Sequence, residues 1–236
     1  MAFEEIKMPL ISVVIPVFNG AKYLEEALQS IENQENIDFE IIVIDDGSTD
    51  ATAKIVETWP RSVQYIYQSN QGPAHARNVG IKAAKGNFIA FLDADDTWPS
   101  GKIATQIALL NQYLATELVW SKTKCVLEDG ILNTQGKAYK IDPEPNFIPF
   151  LGAALFRKTA FDKVGLFDIS LRFGEDIDWY NRACEMSINI LKSDTLGLYY
   201  RMHNHNSTRN TVALNQGTVQ LLKKKLDRNR QISTHG

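Results

Sequence analysis

Along the first hundred positions, short apolar runs alternate with segments whose apolar residues are spaced for a helix. Ile11 to Val17 is rich in β-branched residues and closes on Asn19-Gly20, the pattern of a strand, and Ala21 to Ile31 then sets Leu24, Leu28 and Ile31 on one helical face. The alternation continues with strands at Glu40 to Ile44, Val63 to Tyr67 and Phe88 to Leu92, and helices at Asp50 to Thr58 and Pro73 to Ala84. Ile41-Ile-Val-Ile44 and Phe88-Ile-Ala-Phe-Leu92 are apolar without interruption. Such strands are covered on both faces, which predicts an α/β fold with a doubly wound, mainly parallel sheet and helices on both faces. Ligands bind such sheets at the carboxyl ends of strands, where this chain places Asp45-Asp46 and Asp93-Ala-Asp95-Asp96.

After Trp98 the rhythm changes. A helix is expected near Lys102 to Leu114, a strand at Leu118 to Leu127 with a hairpin turn at Asp129-Gly130, and a strand at Ala153 to Phe156. Asp142-Pro-Glu-Pro-Asn146 reads as a loop, Asp176 to Ser187 as a helix, and Val212 to Leu226 as a last helix. There is no internal repeat and no low-complexity segment, so the chain is read as one domain with two functional halves.

Composition narrows the chemistry. The 236 residues are 44% hydrophobic and 22% charged, enough for a buried core. A formal charge of −3 disfavours a nucleic-acid-coating protein. Cys125 and Cys184 are too few for a disulfide framework, lack a CxxC spacing and read as reduced, buried thiols. The longest apolar stretch, Leu10 to Phe18, falls far short of the roughly 18 residues of a spanning helix. The N-terminus lacks the cationic start and apolar run of a secretory signal, so a cytoplasmic location is expected, with peripheral attachment at the inner face of the membrane left open. Nothing in the pattern specifies an oligomeric state.

No GxGxxG, GxxxxGK[ST] or HExxH occurs, which removes the main support for dinucleotide, P-loop and zincin readings. What remains is Asp93-Ala94-Asp95, two carboxylates that either converge on a hard divalent cation or stand as solvated loop acids. Asp46 is expected at the ligand, while Asp50 is expected to cap the following helix.

The runs Ser12-Val-Val-Ile-Pro-Val-Phe-Asn19, Asp45-Asp-Gly-Ser-Thr-Asp50, Asn70-Gln-Gly-Pro-Ala-His-Ala-Arg-Asn78, Phe91-Leu-Asp-Ala-Asp-Asp-Thr-Trp98 and Gly174-Glu-Asp-Ile-Asp-Trp179 come in the order seen in family 2 glycosyltransferases. The resemblance is close over residues 10 to 98 and looser through Tyr200-Arg-Met-His203. It implies the GT-A fold, with a nucleotide-sugar-binding half at about 10–98, an acceptor half at about 99–210 and a C-terminal helix and tail after that. It further implies inverting transfer of a sugar from a nucleotide-diphosphate donor, a UDP-sugar first, to a glycan, polysaccharide or lipid-linked acceptor.

Under that resemblance Asp95, ahead of Asp93, holds Mn2+ or Mg2+, and His203 resembles a histidine placed on the metal or diphosphate. Pro16, Val17 and Asn19 form part of the nucleotide wall, with Asp45, Asp46, Asp93 and Ala94 also at the donor. Arg77 pairs with phosphate or with an acid of the pocket. Asp176 resembles the second residue of the family's Glu-Asp motif and is the expected base, with Glu175 positioning the acceptor or metal and Asp178 either a helix residue or an acceptor contact. Trp98 either lines the sugar pocket or is a core tryptophan, and Trp179 either faces the acceptor or is likewise core.

Two other classes compete. A nucleotidyltransferase would carry a Gly-rich phosphate loop early in the chain, and a non-catalytic binding domain would have lost Asp95 or Asp176; the chain lacks the first and keeps both acids. Near the end, Lys223, Lys224, Lys225, Arg228 and Arg230 beside Leu221, Leu222 and Leu226 form either a solvated helix face or a contact with anionic lipid.

Overall fold

The computed structural model describes residues 10–131, 142–206, 209 and 211–234. Its first half follows the expected alternation: β1 (Ile11–Val17), α1 (Leu24–Glu32), β2 (Phe39–Asp45), α2 (Thr52–Thr58), β3 (Val63–Tyr67), α3 (Pro73–Ala83) and β4 (Phe88–Phe91). The second half adds α4 (Lys102–Gln112), β5 (Leu118–Leu127), β6 (Ala154–Arg157), α5 (Thr159–Val164), α6 (Glu175–Glu185), β7 (Ile190–Met202) and α7 (Thr211–Thr234).

These strands build one seven-stranded sheet in the order β3-β2-β1-β4-β6-β5-β7. β1 is buried almost throughout and pairs in parallel with β2 on one side and β4 on the other. The chain winds outward from β1 through β2 and β3, then returns to β4. That reversal makes a crevice at the carboxyl ends of β1 and β4, where ligands bind in doubly wound sheets. β6 is the antiparallel exception, set between β4 and β5.

α3 packs directly on β1. A Cβ at Gly80 would collide with Val14, whose Cγ2 would stand only 2.9 Å away, so this helix approaches the central strand only through a glycine. The second half is held by rings: Phe91, Phe156, Phe161, Phe167 and Trp179 pack edge-on or tilted at centroid separations of 5.1–6.3 Å. Trp179 is therefore a core residue and not an acceptor contact: it is fully buried, and its Nε1 donates to Gly165 O at 2.9 Å. Trp98 is interior as well, with Nε1 donating to Gly152 O at 2.9 Å and Lys102 Nζ lying 4.0 Å from its ring centroid.

Further expectations change. The turn expected at Asp129-Gly130 is present, but the return strand of a hairpin would fall on residues 132–141, outside the described residues, and β5 finds its partners in β6 and β7. Cys125 is half-buried and Cys184 exposed, so neither is the buried thiol expected, although both are free. α7 runs past Leu226 to Thr234. Among the described residues no helix is long and apolar enough to cross a membrane.

Gly80→Ala should lower stability by about 1–3 kcal/mol through overpacking, despite alanine's better helix propensity. Adding Val14→Ala should recover part of the loss in urea unfolding. An unchanged midpoint in the single variant would contradict the close approach.

Candidate active site

Four loops meet at the carboxyl edge of the sheet. The loop after β1 is clipped to the loop after β2: Ser48 Oγ accepts the Asn19 N–H at 2.8 Å, and Asn19 Oδ1 accepts the Thr49 N–H at 2.8 Å. Asp50 takes the Thr52 N–H and hydroxyl on one oxygen and the Ala21 N–H on the other. It thus holds the first residue of α2 from one position outside the N-cap, which is Ala51 and not the expected Asp50. Burial opposes its ionisation, but these hydrogen bonds outweigh burial and hold its pKa below the ordinary value.

Asp45 and Asp46 are both buried and both hydrogen-bonded. Asp45 accepts from Ser48 N–H at 2.7 Å and Tyr65 Oη at 2.6 Å, and burial together with this carboxylate raises the Tyr65 pKa. Asp46 Oδ1 accepts from Gln68 Nε2 and Gln71 N–H, and Oδ2 from Gly72 N–H, at 2.7–2.8 Å. Asp46 therefore ties the loop that opens α3 to the end of β2. A carboxylate has about four acceptor positions, so three donors leave it capacity for another.

Arg77, on the buried side of α3, joins the two halves. Its Nη2 donates to Asp93 Oδ1 at 2.7 Å, and its Nη1 donates to Glu175 at the start of α6. The side chain is 8% exposed and its Nε has no hydrogen-bond partner. Burial disfavours the guanidinium charge, but Asp93, Glu175 and Asp176 together raise its pKa, so it stays cationic.

Glu175 responds in the opposite sense. Burial, reinforced by Asp176 and Asp93, outweighs Arg77 and pushes its pKa up to about 7. Asp176 is also shifted upward, by burial first and with a contribution from Asp93, while Arg77 and the Ile177 N–H pull it down. An acid whose pKa is raised toward neutrality is better matched to proton transfer near neutral pH than an ordinary carboxylate.

β7 delivers the last group. A bridge pairs Thr97 with Tyr199, and the buried Asp96 accepts the Arg201 N–H at 2.9 Å. This register sets His203 against Asp95, with Nε2 and Oδ2 2.9 Å apart.

The sequence matches the glycosyl transferase family 2 model over residues 12–165. The chain belongs to glycosyl transferase family 2. Among relatives of this glycosyltransferase, an uncharacterized glycosyltransferase of Rickettsia prowazekii is 34% identical over 90% of the chain and 70% of its own length. A Campylobacter jejuni protein named GalNAc(5)-diNAcBac-PP-undecaprenol beta-1,3-glucosyltransferase is 31% identical over 81% of the chain and 63% of its own length. Among solved structures, S. aureus TarS 1-349 in complex with UDP-GlcNAc superposes with a TM-score of 0.69 at 27% identity, over 85% of the chain and 60% of that fragment. A Pyrobaculum calidifontis mannosyltransferase in complex with GDP-Man and Mn2+ shares the fold, with a TM-score of 0.71 at 21% identity over 94% of the chain and 65% of that protein. The glycosyltransferase thus spans less than two thirds of these solved chains.

The expected metal residues suit an ion that draws most of its ligands from a substrate. Asp93 offers one oxygen to Arg77, Asp95 offers one to His203 and Asn206, and each carboxylate keeps its second oxygen clear of those bonds. Among the described residues no group of three or more His, Cys, Asp or Glu side chains forms a metal cluster. Mg2+ and Mn2+ suit such a set, since hard cations bind through one or two carboxylates plus substrate phosphates. His203 stands beside the expected metal acid: its Nε2 lies 2.9 Å from Asp95 Oδ2, and its Nδ1 accepts the His205 N–H at 3.1 Å. As placed, it orients Asp95.

Asp178 is a structural residue and not an acceptor contact. It is buried and held by Arg182 at 2.9 Å and Arg228 at 2.8 Å. Pro16 and Val17 pair with Ile44 and Asp45 in the sheet, and Ala94 lies against Gly20, so all three shape the crevice floor through backbone and packing. Sequence reading missed Asp96, Gln68 and Asn206. Asp96 stood beside the expected metal acids without a role, and its signal was its place in the acid-rich run Asp93-Ala-Asp95-Asp96 at the strand end.

Arg77→Met should cost about 3–5 kcal/mol in unfolding free energy, because it leaves Glu175 buried without its counter-charge. Adding Glu175→Gln should recover much of that loss. Additive losses would show that the two side chains do not form a buried pair.

Proposed function

We propose that this glycosyltransferase moves a sugar from a nucleotide-diphosphate donor, a UDP-sugar first, to a hydroxyl of a glycan, polysaccharide or lipid-linked acceptor, with inversion at the anomeric carbon. One observation carries the reading: Arg77 holds Asp93, after β4, and Glu175, at the head of α6, at once, which brings the acids of the two halves of the chain together. UDP-GlcNAc is the ligand of the TarS fragment, and an undecaprenol-linked acceptor is named for the Campylobacter relative, which supports both choices.

The roles follow from placement. Asp46 and the Asn19 loop flank the nucleotide, with Asp46 accepting one further donor from the base. Asp95, aided by Asp93, would hold a divalent cation, which when bound neutralises charge developing on the leaving diphosphate as a Lewis acid. Asp176 takes the proton from the acceptor oxygen as that oxygen attacks the anomeric carbon from the face opposite the leaving group. Its raised pKa keeps the carboxylate basic enough to accept that proton. Glu175 holds the head of α6 to Arg77.

Asp176→Asn should retain donor binding, measured by calorimetry, and lose at least about a thousandfold in turnover, within the range of general-base removal. Asp95→Ala should lose metal-dependent donor binding. Turnover in Asp176→Asn near the wild-type rate would sink the base assignment. A base is active when deprotonated, so turnover should fall as pH drops through the raised pKa of the Glu175–Asp176 pair. Glu175→Gln removes a neighbouring negative charge and should move that acid limb to lower pH. A limb that stays in place or moves upward would contradict the coupling.

A further inference from the structure

The two faces of α7 differ in what they meet. Inward, Gly217 packs on Phe173 and Leu221 on Gly174, which has a φ of +76° and leads into Glu175. Lys224 pairs with Asp168, and Arg228 with Asp178 and Glu185. Two of the five basic residues in this helix are thus spent on docking it to the loop and helix that carry the acceptor-side acids.

Outward, Val219, Leu222 and Leu226 are 66%, 58% and 55% exposed and follow one another at three- and four-residue spacing, so they form a single apolar stripe. Exposed Lys223 and Lys225 border it on opposite sides, and Arg230, 79% exposed, continues the Lys223 side with Asp227 3.7 Å away. A stripe at this spacing would also suit a second copy of the helix in a coiled coil. The bordering positions argue against that partner. In a parallel pair Lys225 would face Arg230, and in an antiparallel pair cationic borders would again oppose one another. The charge that repels a second copy attracts an anionic surface.

We propose that the outer face of α7 docks on an anionic lipid membrane surface. Val219, Leu222 and Leu226 enter the headgroup–acyl boundary, and Lys223 and Lys225 pair with lipid headgroups on either side. Because the inner face of α7 grips Phe173 and Gly174, docking holds the Glu175–Asp176 end of the crevice at the bilayer. The proposal goes beyond the transfer reaction and does not depend on which donor is used.

The test is co-sedimentation of the purified chain with phosphatidylcholine vesicles and with vesicles containing about 30% phosphatidylglycerol, at low and high salt. The expected result is pelleting with the anionic vesicles alone, weakened by salt, and reduced roughly tenfold or more both in Lys223→Glu/Lys225→Glu and in Leu222→Ser/Leu226→Ser. These side chains are exposed, so the urea midpoints should match wild type and separate lost docking from lost folding. Pelleting with neither vesicle, or equally with both, overturns the proposal. So does a solution dimer that Leu222→Ser/Leu226→Ser dissolves.

Discussion

The buried guanidinium of Arg77 is the constraint on which the site depends. Its nearest carboxylates lie 16 and 98 residues away in sequence, one after β4 and one at the head of α6. Without that cation Glu175, buried beside Asp176, would have no counter-charge, and burial would favour its neutral form. With it, the segment after β4 and the head of α6 are tied to one side chain. Removing a cation so buried leaves Glu175 buried without its ion-pair partner.

The topology explains why one arginine reaches both. α3 packs closely on β1 because Gly80 presents no side chain to Val14, and about one turn earlier on the same helix Arg77 reaches Asp93, just after β4. The loop that starts α3 is held to the end of β2 by three hydrogen bonds to Asp46. From the other side of the sheet, β7 pairs with the loop after β4 and supplies His203 to Asp95. The segments after β1, β2, β4 and β7 are therefore positioned by the same mixed sheet, which is a more rigid support than loops alone.

The first half was legible in sequence because apolar β-branched runs and helix-spaced leucines repeat there with clean boundaries, and β1 and β3 fall where their patterns end. The acids at the strand ends were legible for the same reason. β7 was not: Lys192, Ser193, Asp194, Thr195 and Gly197 break any alternation, and its register with β5 shifts after Ser121. α5 spans six residues, too short for periodicity to show. Contacts such as Arg77–Glu175 and Arg228–Asp178 join residues far apart in sequence, and local pattern carries no trace of them. Trp179 was ambiguous because burial of its ring depends on the Phe91, Phe156 and Phe161 cluster, which only the assembled sheet brings together.

The central claim is that one crevice binds a nucleotide-diphosphate sugar through a divalent ion held at Asp95. A thermal-shift panel of nucleotide sugars with and without Mn2+ tests it most directly, since a ligand that binds only the native state raises the apparent stability. The account predicts a rise in Tm with a UDP-sugar when Mn2+ is present and little rise when it is chelated. No shift with any nucleotide sugar, or a shift indifferent to the metal, would contradict it.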